Sequence, residues 1–234
     1  MYQRSIVRSE GEPLALPIAA SRSPIRRASR RAALAEIADR MIGGCSLVPV
    51  APVLDVRAFD WTGGLRDHWR TIRDEARFAA LDGDRAGAEG RFALWRRGGR
   101  EAVNAARCPA TAAAVAAIPG LDSASFSVLP PGAHVPVQRG PTRGLLTCHL
   151  GLIVPRDGDA RMRVGDRVIR WAEGETLVFD DTYEHEAWND SGSTRVVLRV
   201  RVRRPLRQPG RWIADALLRL RSALPGGIAD RVAG

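Results

Sequence analysis

The chain has four histidines, and three of them, His134, His149 and His185, fall in a stretch where apolar and polar residues alternate as they do in β-strands. Imidazoles on the strands of a small barrel are a common way to hold a divalent metal. Isolated histidines more often pack or face solvent, so spacing alone does not establish a metal site. Around the last of them, Phe179-Asp180-Asp181-Thr182-Tyr183-Glu184-His185-Glu186 gathers four carboxylates about one imidazole. The run reads either as an acidic turn with solvated charges or as a ligand or acid–base cluster. Further on, Val196, Leu198, Val200 and Val202 share one face of a strand, while Arg195, Val197, Arg199, Arg201 and Arg203 share the other. The first face is core. The second carries four guanidiniums at period two, which either enter water or build an anion site suited to carboxylate or phosphate.

Short β-type runs must position these groups. After Gly120, candidate strands are residues 124–129, 145–154, 161–164, 167–171, 176–180, 184–188 and 195–202, with Gly165-Asp166 as a two-residue hairpin turn. Strands at such spacing point to a mainly β fold with flanking helices, an antiparallel sandwich or jelly roll. Before Gly120 the pattern is helical. Leu34, Ile37, Ala38 and Met41 give a basic amphipathic helix over 25–42 that stops at Gly43-Gly44. Leu65, Trp69, Ile72, Ala76 and Ala80 give a second helix over 64–81, and Pro109 starts a third that ends before Pro119-Gly120. Residues 82–99, rich in Gly and Arg, read as loop. Residues 1–24, with Pro13, Pro17 and Pro24, read as an extended leader, and Trp212 to Leu224 as a terminal amphipathic helix.

The 234 residues suit one ordinary domain with additions, and a hydrophobic fraction of 45% excludes a wholly disordered chain. All 36 basic residues are arginine, which fits a GC-rich coding sequence better than a functional choice. The net charge of +10 invites a nucleic-acid reading, but it is unevenly spread: residues 1–40 carry +4, residues 41–198 carry −1 and residues 199–234 carry +7. A neutral body between basic ends favours solvated faces or peripheral contact with an anionic membrane, and nucleic acid ranks last as a partner. Three widely spaced cysteines, Cys45, Cys108 and Cys148, with no CxxC pair, argue against a disulfide framework or a structural zinc site and fit a reducing cytoplasm. The early apolar stretch 14–20 is too short and too interrupted for a signal peptide, and no window approaches a membrane span, so a soluble cytoplasmic protein is expected.

Three segments, SVLPPGAHVPVQRGPTRGLLTCHLGLIVP from Ser127, VGDRVIRWAEGETLVFDDTYEHEAWND from Val164 and TRVVLRVRVRRPL from Thr194, strongly resemble the aspartyl/asparaginyl β-hydroxylase domain, including its bacterial lipid A hydroxylase branch. The resemblance covers about residues 55–207, leaving a basic extension over 1–50 and a helix over 208–234 outside the domain. It implies a double-stranded β-helix (jelly roll, cupin-like) oxygenase that uses Fe(II), 2-oxoglutarate and O2 to hydroxylate an unactivated C–H bond. It places His185 as the distal metal ligand and Gly140 where other oxygenases carry a carboxylate ligand. Arg195 and Ser127 take the positions that hold the far carboxylate of 2-oxoglutarate, and His149 that of a histidine near the cosubstrate. Where the family has its first histidine ligand this chain has Gln138, whose neutral amide oxygen is a much poorer Fe(II) ligand. Thr147 stands where an arginine is usual, and Arg199 and Arg201 where an apolar residue and an aspartate are usual, which adds positive charge beside Arg195.

Two functions follow. One is a hydroxylase with an altered metal set, His185 and Gln138 holding iron, or with His134 or His149 recruited, and Arg195, Arg199, Ser127 and His149 holding the cosubstrate; its substrate would be an amino-acid metabolite, a peptide or a lipid acyl chain. The other is an inactive relative that keeps the barrel as a binding module for a small anion or lipid headgroup.

Overall fold

The computed structural model describes residues 25–81 and 91–223. The expected leader, and the first nine residues of the expected loop over 82–99, lie outside the described residues. The chain opens with helix α1 (Ile25–Gly44), strand β1 (Val53–Leu54) and helices α2 (Thr62–Asp67) and α3 (Trp69–Ala76). A hairpin of β2 (Arg91–Arg96) and β3 (Gly99–Arg100) leads to α4 (Ala102–Arg107) and α5 (Pro109–Ala116). Eight strands follow: β4 (Leu121–Leu129), β5 (His134–Gln138), β6 (Leu145–Ile153), β7 (Asp159–Val164), β8 (Arg167–Arg170), β9 (Thr176–Phe179), β10 (His185–Asp190) and β11 (Arg195–Arg203). Helix α6 (Gly210–Ala223) ends the described chain.

The strands form two facing sheets, one ordered β1-β9-β6-β11-β4-β2-β3 and the other β5-β10-β7-β8. This is the expected jelly roll, and the alternation along β11 shows why it holds. Val196, Leu198, Val200 and Val202 are buried in a core that the large sheet shares with Leu65, Ile72 and Val115 of the helices. Val197 faces the other way, into a second core between the sheets with Leu129, Met162, Val164, Trp171 and Phe179. Each fully buried aliphatic or aromatic side chain there contributes about 1.5–3 kcal/mol, and the two-sided burial fixes the register of the strand. Arg195 and Arg201 are also buried on the inner face and Arg199 is mostly so, so the guanidinium ladder builds an interior cationic surface and only Arg203 is fully at the surface.

Three elements differ from the sequence reading. The region expected to be loop contains β2 and β3, because Phe92, Ala93 and Leu94 are buried at the edge of the large sheet among the Gly and Arg residues that mask them. The helix expected over 64–81 is two helices with a break at His68 (φ −102°, ψ 8°), whose Nδ1 lies 2.8 Å from the Gly64 carbonyl, and it relaxes into a π turn at Arg77–Leu81. Residues 134–138 form a strand despite Pro136, since β5 is an edge strand where a missing N–H is tolerated.

The acidic run before β10 is not simply a solvated turn, because Asp180 and Asp181 are fully buried. Asp180 and Arg204 form an ion pair with both side chains fully buried. Arg204 also donates from Nε to the Arg143 carbonyl at 2.8 Å, and the Thr182 N–H donates to Asp180 Oδ1 at 3.0 Å. Removing one member leaves an uncompensated interior charge. Arg204→Met is therefore expected to lower stability by about 3–5 kcal/mol in urea denaturation, and Arg204→Met with Asp180→Asn to recover part of that loss.

Candidate active site

His185 begins β10 and is the register partner of Gln138 at the end of β5. Directly opposed residues on neighbouring strands have Cβ atoms about 5 Å apart, close enough to share one bound atom. The His185 Nδ1 lies 3.0 Å from the Tyr183 carbonyl, which accepts only from a protonated nitrogen. Nδ1 therefore carries the hydrogen, and Nε2 is the lone-pair nitrogen, the tautomer of a metal-ligating histidine oriented by a backbone carbonyl. Burial holds this imidazole below its ordinary pKa and keeps it neutral, against the opposing pull of the Tyr183 carbonyl and Asp181.

A bulge separates Gln138 from His134. Along β10, His185 pairs with Gln138, Ala187 with Val135 and Trp188 with His134, so three steps of β5 span two of β10. Gln138 and Val135 thus face the interior, while His134 stacks on Trp188 at 5.1 Å with its side chain 46% exposed and its Nε2 3.3 Å from Glu186. The bulge puts His134 on the other face from Gln138, so the His134 that the sequence offered for recruitment to the metal does not line the cavity.

On the opposite sheet, His149 and Arg199 are register partners on β6 and β11. Trp171 donates its indole N–H to His149 Nδ1 at 3.2 Å. In the neutral ring this puts the hydrogen on Nε2, making His149 a donor to an anion and not a lone-pair ligand to a metal. Arg195 is 3% exposed and stands over the Trp171 ring at 4.5 Å. Its Nε and Nη1 are buried with no hydrogen bond, and burial pulls the guanidinium down to about 9. All six side chains that the sequence singled out, Ser127, Gln138, His149, His185, Arg195 and Arg199, line one cavity between the sheets, with an empty volume of about 440 Å³. The space within it that is open to water-sized molecules is about 40 Å³, so the six side chains converge closely.

Two further residues shape this geometry in ways the sequence reading did not assign them. Asp181 is fully buried; its Oδ2 accepts from Arg201 Nη2 at 2.8 Å, Arg201 Nε at 3.1 Å and Thr147 Oγ1 at 2.9 Å, with Arg199 Nη2 at 3.7 Å. Burial alone would raise this carboxyl, but Arg201 and Arg199 hold it below its usual range. Its Oδ1 occupies the space beside Gly140, where an added Cβ would sit 1.9 Å away, and the Gly140 N–H donates to the Asp181 carbonyl. Position 140 is glycine because a carboxylate already fills the place of its side chain. Arg201 is spent on Asp181, so of the three inward arginines only Arg195 and Arg199 reach the cavity. Trp171 is the other residue; it lies in a quoted WAEG element, but only the folded chain shows it bridging His149 and Arg195.

An added methyl group at position 140 should expel Asp181 from its pocket. Gly140→Ala is expected to destabilise the fold by about 1–3 kcal/mol and to disturb the pairing of Gln138 with His185, measurable as a lower Tm together with weakened ligand binding.

The family described as aspartyl/asparaginyl beta-hydroxylase matches residues 66–205. The chain is 40% identical over 186 residues to an ornithine lipid ester-linked acyl 2-hydroxylase of Rhizobium tropici, a match covering 72% of this chain and 66% of that protein. It is 32% identical over 158 residues to the human aspartyl/asparaginyl beta-hydroxylase, covering 60% of this chain and 21% of the relative. The chain thus spans just under two thirds of the first relative and about a fifth of the second. Among solved structures, a Pseudomonas putida prolyl-4-hydroxylase aligns with 24% identity and a TM-score of 0.38, over 59% of this chain and 87% of that one.

Proposed function

The chain belongs to the aspartyl/asparaginyl β-hydroxylase family, and from that premise we propose that it is an Fe(II)- and 2-oxoglutarate-dependent hydroxylase of an unactivated C–H bond in a lipid acyl chain. One observation carries this reading: the buried Arg195 guanidinium, whose Nε and Nη1 meet no acceptor in the protein. An isolated interior cation costs several kcal/mol, and a ligand carboxylate that completes it turns that cost into affinity. Ser127 and Arg195 would take the far carboxylate of the keto acid, and the His149 N–H and Arg199 its opposite end.

The donors that suit the metal are His185 Nε2 and the Gln138 amide oxygen across the ladder. Among the described residues, no three His, Cys, Asp or Glu side chains converge as a metal cluster, so most coordination positions are left to cosubstrate and water. Bound iron would supply oxygen activation, coupling decarboxylation of 2-oxoglutarate to succinate and CO2 with delivery of one oxygen atom to the C–H bond. The chain's own part is positional. Tyr183 fixes the His185 ring through its carbonyl, and Trp171 fixes the tautomer of His149. Asp181 and Arg201 brace the Gly140 turn that carries Gln138, while Met162, Phe179 and Trp171 keep the cavity wall apolar.

An acyl chain is favoured over a peptide because the match to the lipid hydroxylase takes in larger shares of both chains than the match to the human relative. The second reading, a binding module without turnover, rests on Gln138: one imidazole opposite one amide is a weak metal set. Iron content after anaerobic reconstitution, measured alongside succinate release, separates the two. The hydroxylase reading expects iron retained in the presence of 2-oxoglutarate, succinate formed by the wild type, and metal affinity raised about tenfold or more in Gln138→His, a gain of about 1.4 kcal/mol. No iron and no succinate from the wild type, with turnover appearing only in Gln138→His, would establish the binding module instead.

A further inference from the structure

Helices α1 and α6 pack against each other at one end of the barrel, where Cys45 abuts Gly210 and the Arg207 N–H donates to the Cys45 carbonyl at 3.0 Å. Both helices leave an outward apolar stripe in addition to the side chains they bury against the body. In α1 the inward stripe ends in Ile42, fully buried, and Asp39 turns inward with it to accept from the Arg143 N–H at 2.9 Å and Thr142 Oγ1 at 3.1 Å. The outward stripe is Leu34, Ile37 and Met41, which are 66%, 47% and 49% exposed. In α6, Ala214 and Leu218 are buried, while Trp212, Ala216 and Leu220, spaced by four, are exposed, Trp212 to 67%. Single exposed apolar residues are ordinary. Paired stripes on adjoining helices are a surface with a purpose.

The charge around these stripes says what covers them. In the described part of α1, Arg40 is exposed beside the outward stripe with Glu36, and Asp39 is already bonded to the body. In α6, Asp215 is occupied by Arg203 at 2.6 Å, leaving exposed Arg211 and Arg219 beside the Trp212 stripe. A surface that combines apolar side chains, an exposed tryptophan and surplus arginine is complementary to the headgroup region of a negatively charged bilayer. We propose that α1 and α6 together form a peripheral docking surface for anionic membrane, with Leu34, Ile37, Met41, Trp212 and Leu220 entering the interface and Arg40, Arg211 and Arg219 engaging lipid headgroups. Among the described residues no helix is long and apolar enough to cross a membrane, so the contact lies on one leaflet. It needs neither iron nor cosubstrate, and its fate is separate from that of the hydroxylase reading.

Cosedimentation of the full chain with vesicles tests this. Wild type is expected to bind phosphatidylglycerol/phosphatidylethanolamine vesicles at least about tenfold more tightly than phosphatidylcholine vesicles, and to lose much of that preference at high salt. Ile37→Glu combined with Trp212→Glu, both at exposed positions, should lower the anionic-vesicle affinity by about tenfold or more with unchanged circular dichroism. Arg40→Glu with Arg219→Glu should lower it while leaving the apolar stripes intact. The proposal is overturned if wild type stays in the supernatant with anionic vesicles, or if the Ile37→Glu/Trp212→Glu protein sediments as well as wild type. It is equally overturned if the stripes prove to be a dimer contact, seen as a wild-type dimer that fails to bind vesicles and becomes a monomer in that double variant.

Discussion

Arg195→Met is expected to do two opposite things at once: weaken 2-oxoglutarate binding by at least about 30-fold and make the ligand-free protein more stable. The guanidinium is buried over Trp171, and its Nε and Nη1 find no acceptor within the protein. Truncating one member of a buried charge pair costs about 2–5 kcal/mol of binding, so affinity should fall by about 30-fold to several thousand-fold. In the absence of ligand the same substitution removes an uncompensated interior cation and fills its place with a side chain of similar length. Exchanges of buried charge for apolar groups stabilise by about 1–4 kcal/mol. The sign with pH follows from the guanidinium being held down to about 9 in the folded chain. The cost of charging it is fully present below that value and is relieved as pH rises through it, because the unfolded chain then binds more protons than the folded one. The stability advantage of Arg195→Met should therefore shrink above about pH 9. Thermal melts with and without 2-oxoglutarate read both effects: at a hundredfold excess over the wild-type Kd the wild type should gain about 2.7 kcal/mol and the variant less than about 1 kcal/mol. A loss of stability in the ligand-free variant would show that Arg195 serves the fold.

His185→Ala should remove metal binding. Its Nδ1–H is committed to the Tyr183 carbonyl, which leaves Nε2 as the lone-pair nitrogen of a side chain that lines the cavity with Gln138. Loss of the outer partners of a ligating histidine already costs about 10–100-fold in metal affinity, so loss of the imidazole itself should cost more than about 100-fold. Gln138→Ala should cost less, since a neutral amide oxygen is the weaker donor. Equilibrium dialysis with Mn(II) in the presence of 2-oxoglutarate measures both. Equal affinities for wild type and His185→Ala would remove His185 from the metal site. Acid should act in the same direction as the substitution, because protonation of Nε2 removes the lone pair; burial holds the pKa down, so binding should persist below the pH at which an exposed histidine would lose it.

Much of this site was legible in the sequence because strand periodicity of two assigns faces. The alternation over 195–203 separates valines from arginines, and in the structure it separates one core from the cavity. What periodicity could not choose was whether the arginine face met water, because that depends on the second sheet. The same limit applies to Asp180 and Asp181. Their types suggest a solvated turn, and only the packing of β11 and the residues after it brings Arg201 and Arg204 alongside. The bulge in β5 was illegible for a different reason: it is a pairing irregularity, and one extra residue reverses the face on which His134 lies. Strand β2 was hidden by composition, since Phe92 to Leu94 form a short apolar run between arginines and glycines.

The central claim is that the cavity around Arg195 binds a dicarboxylic keto acid. Anaerobic calorimetric titration of 2-oxoglutarate into the iron-reconstituted full chain tests it most directly. One site per chain in the wild type and no measurable heat with Arg195→Met is the predicted result. An affinity unchanged by Arg195→Met, or no binding to the wild type, would contradict it.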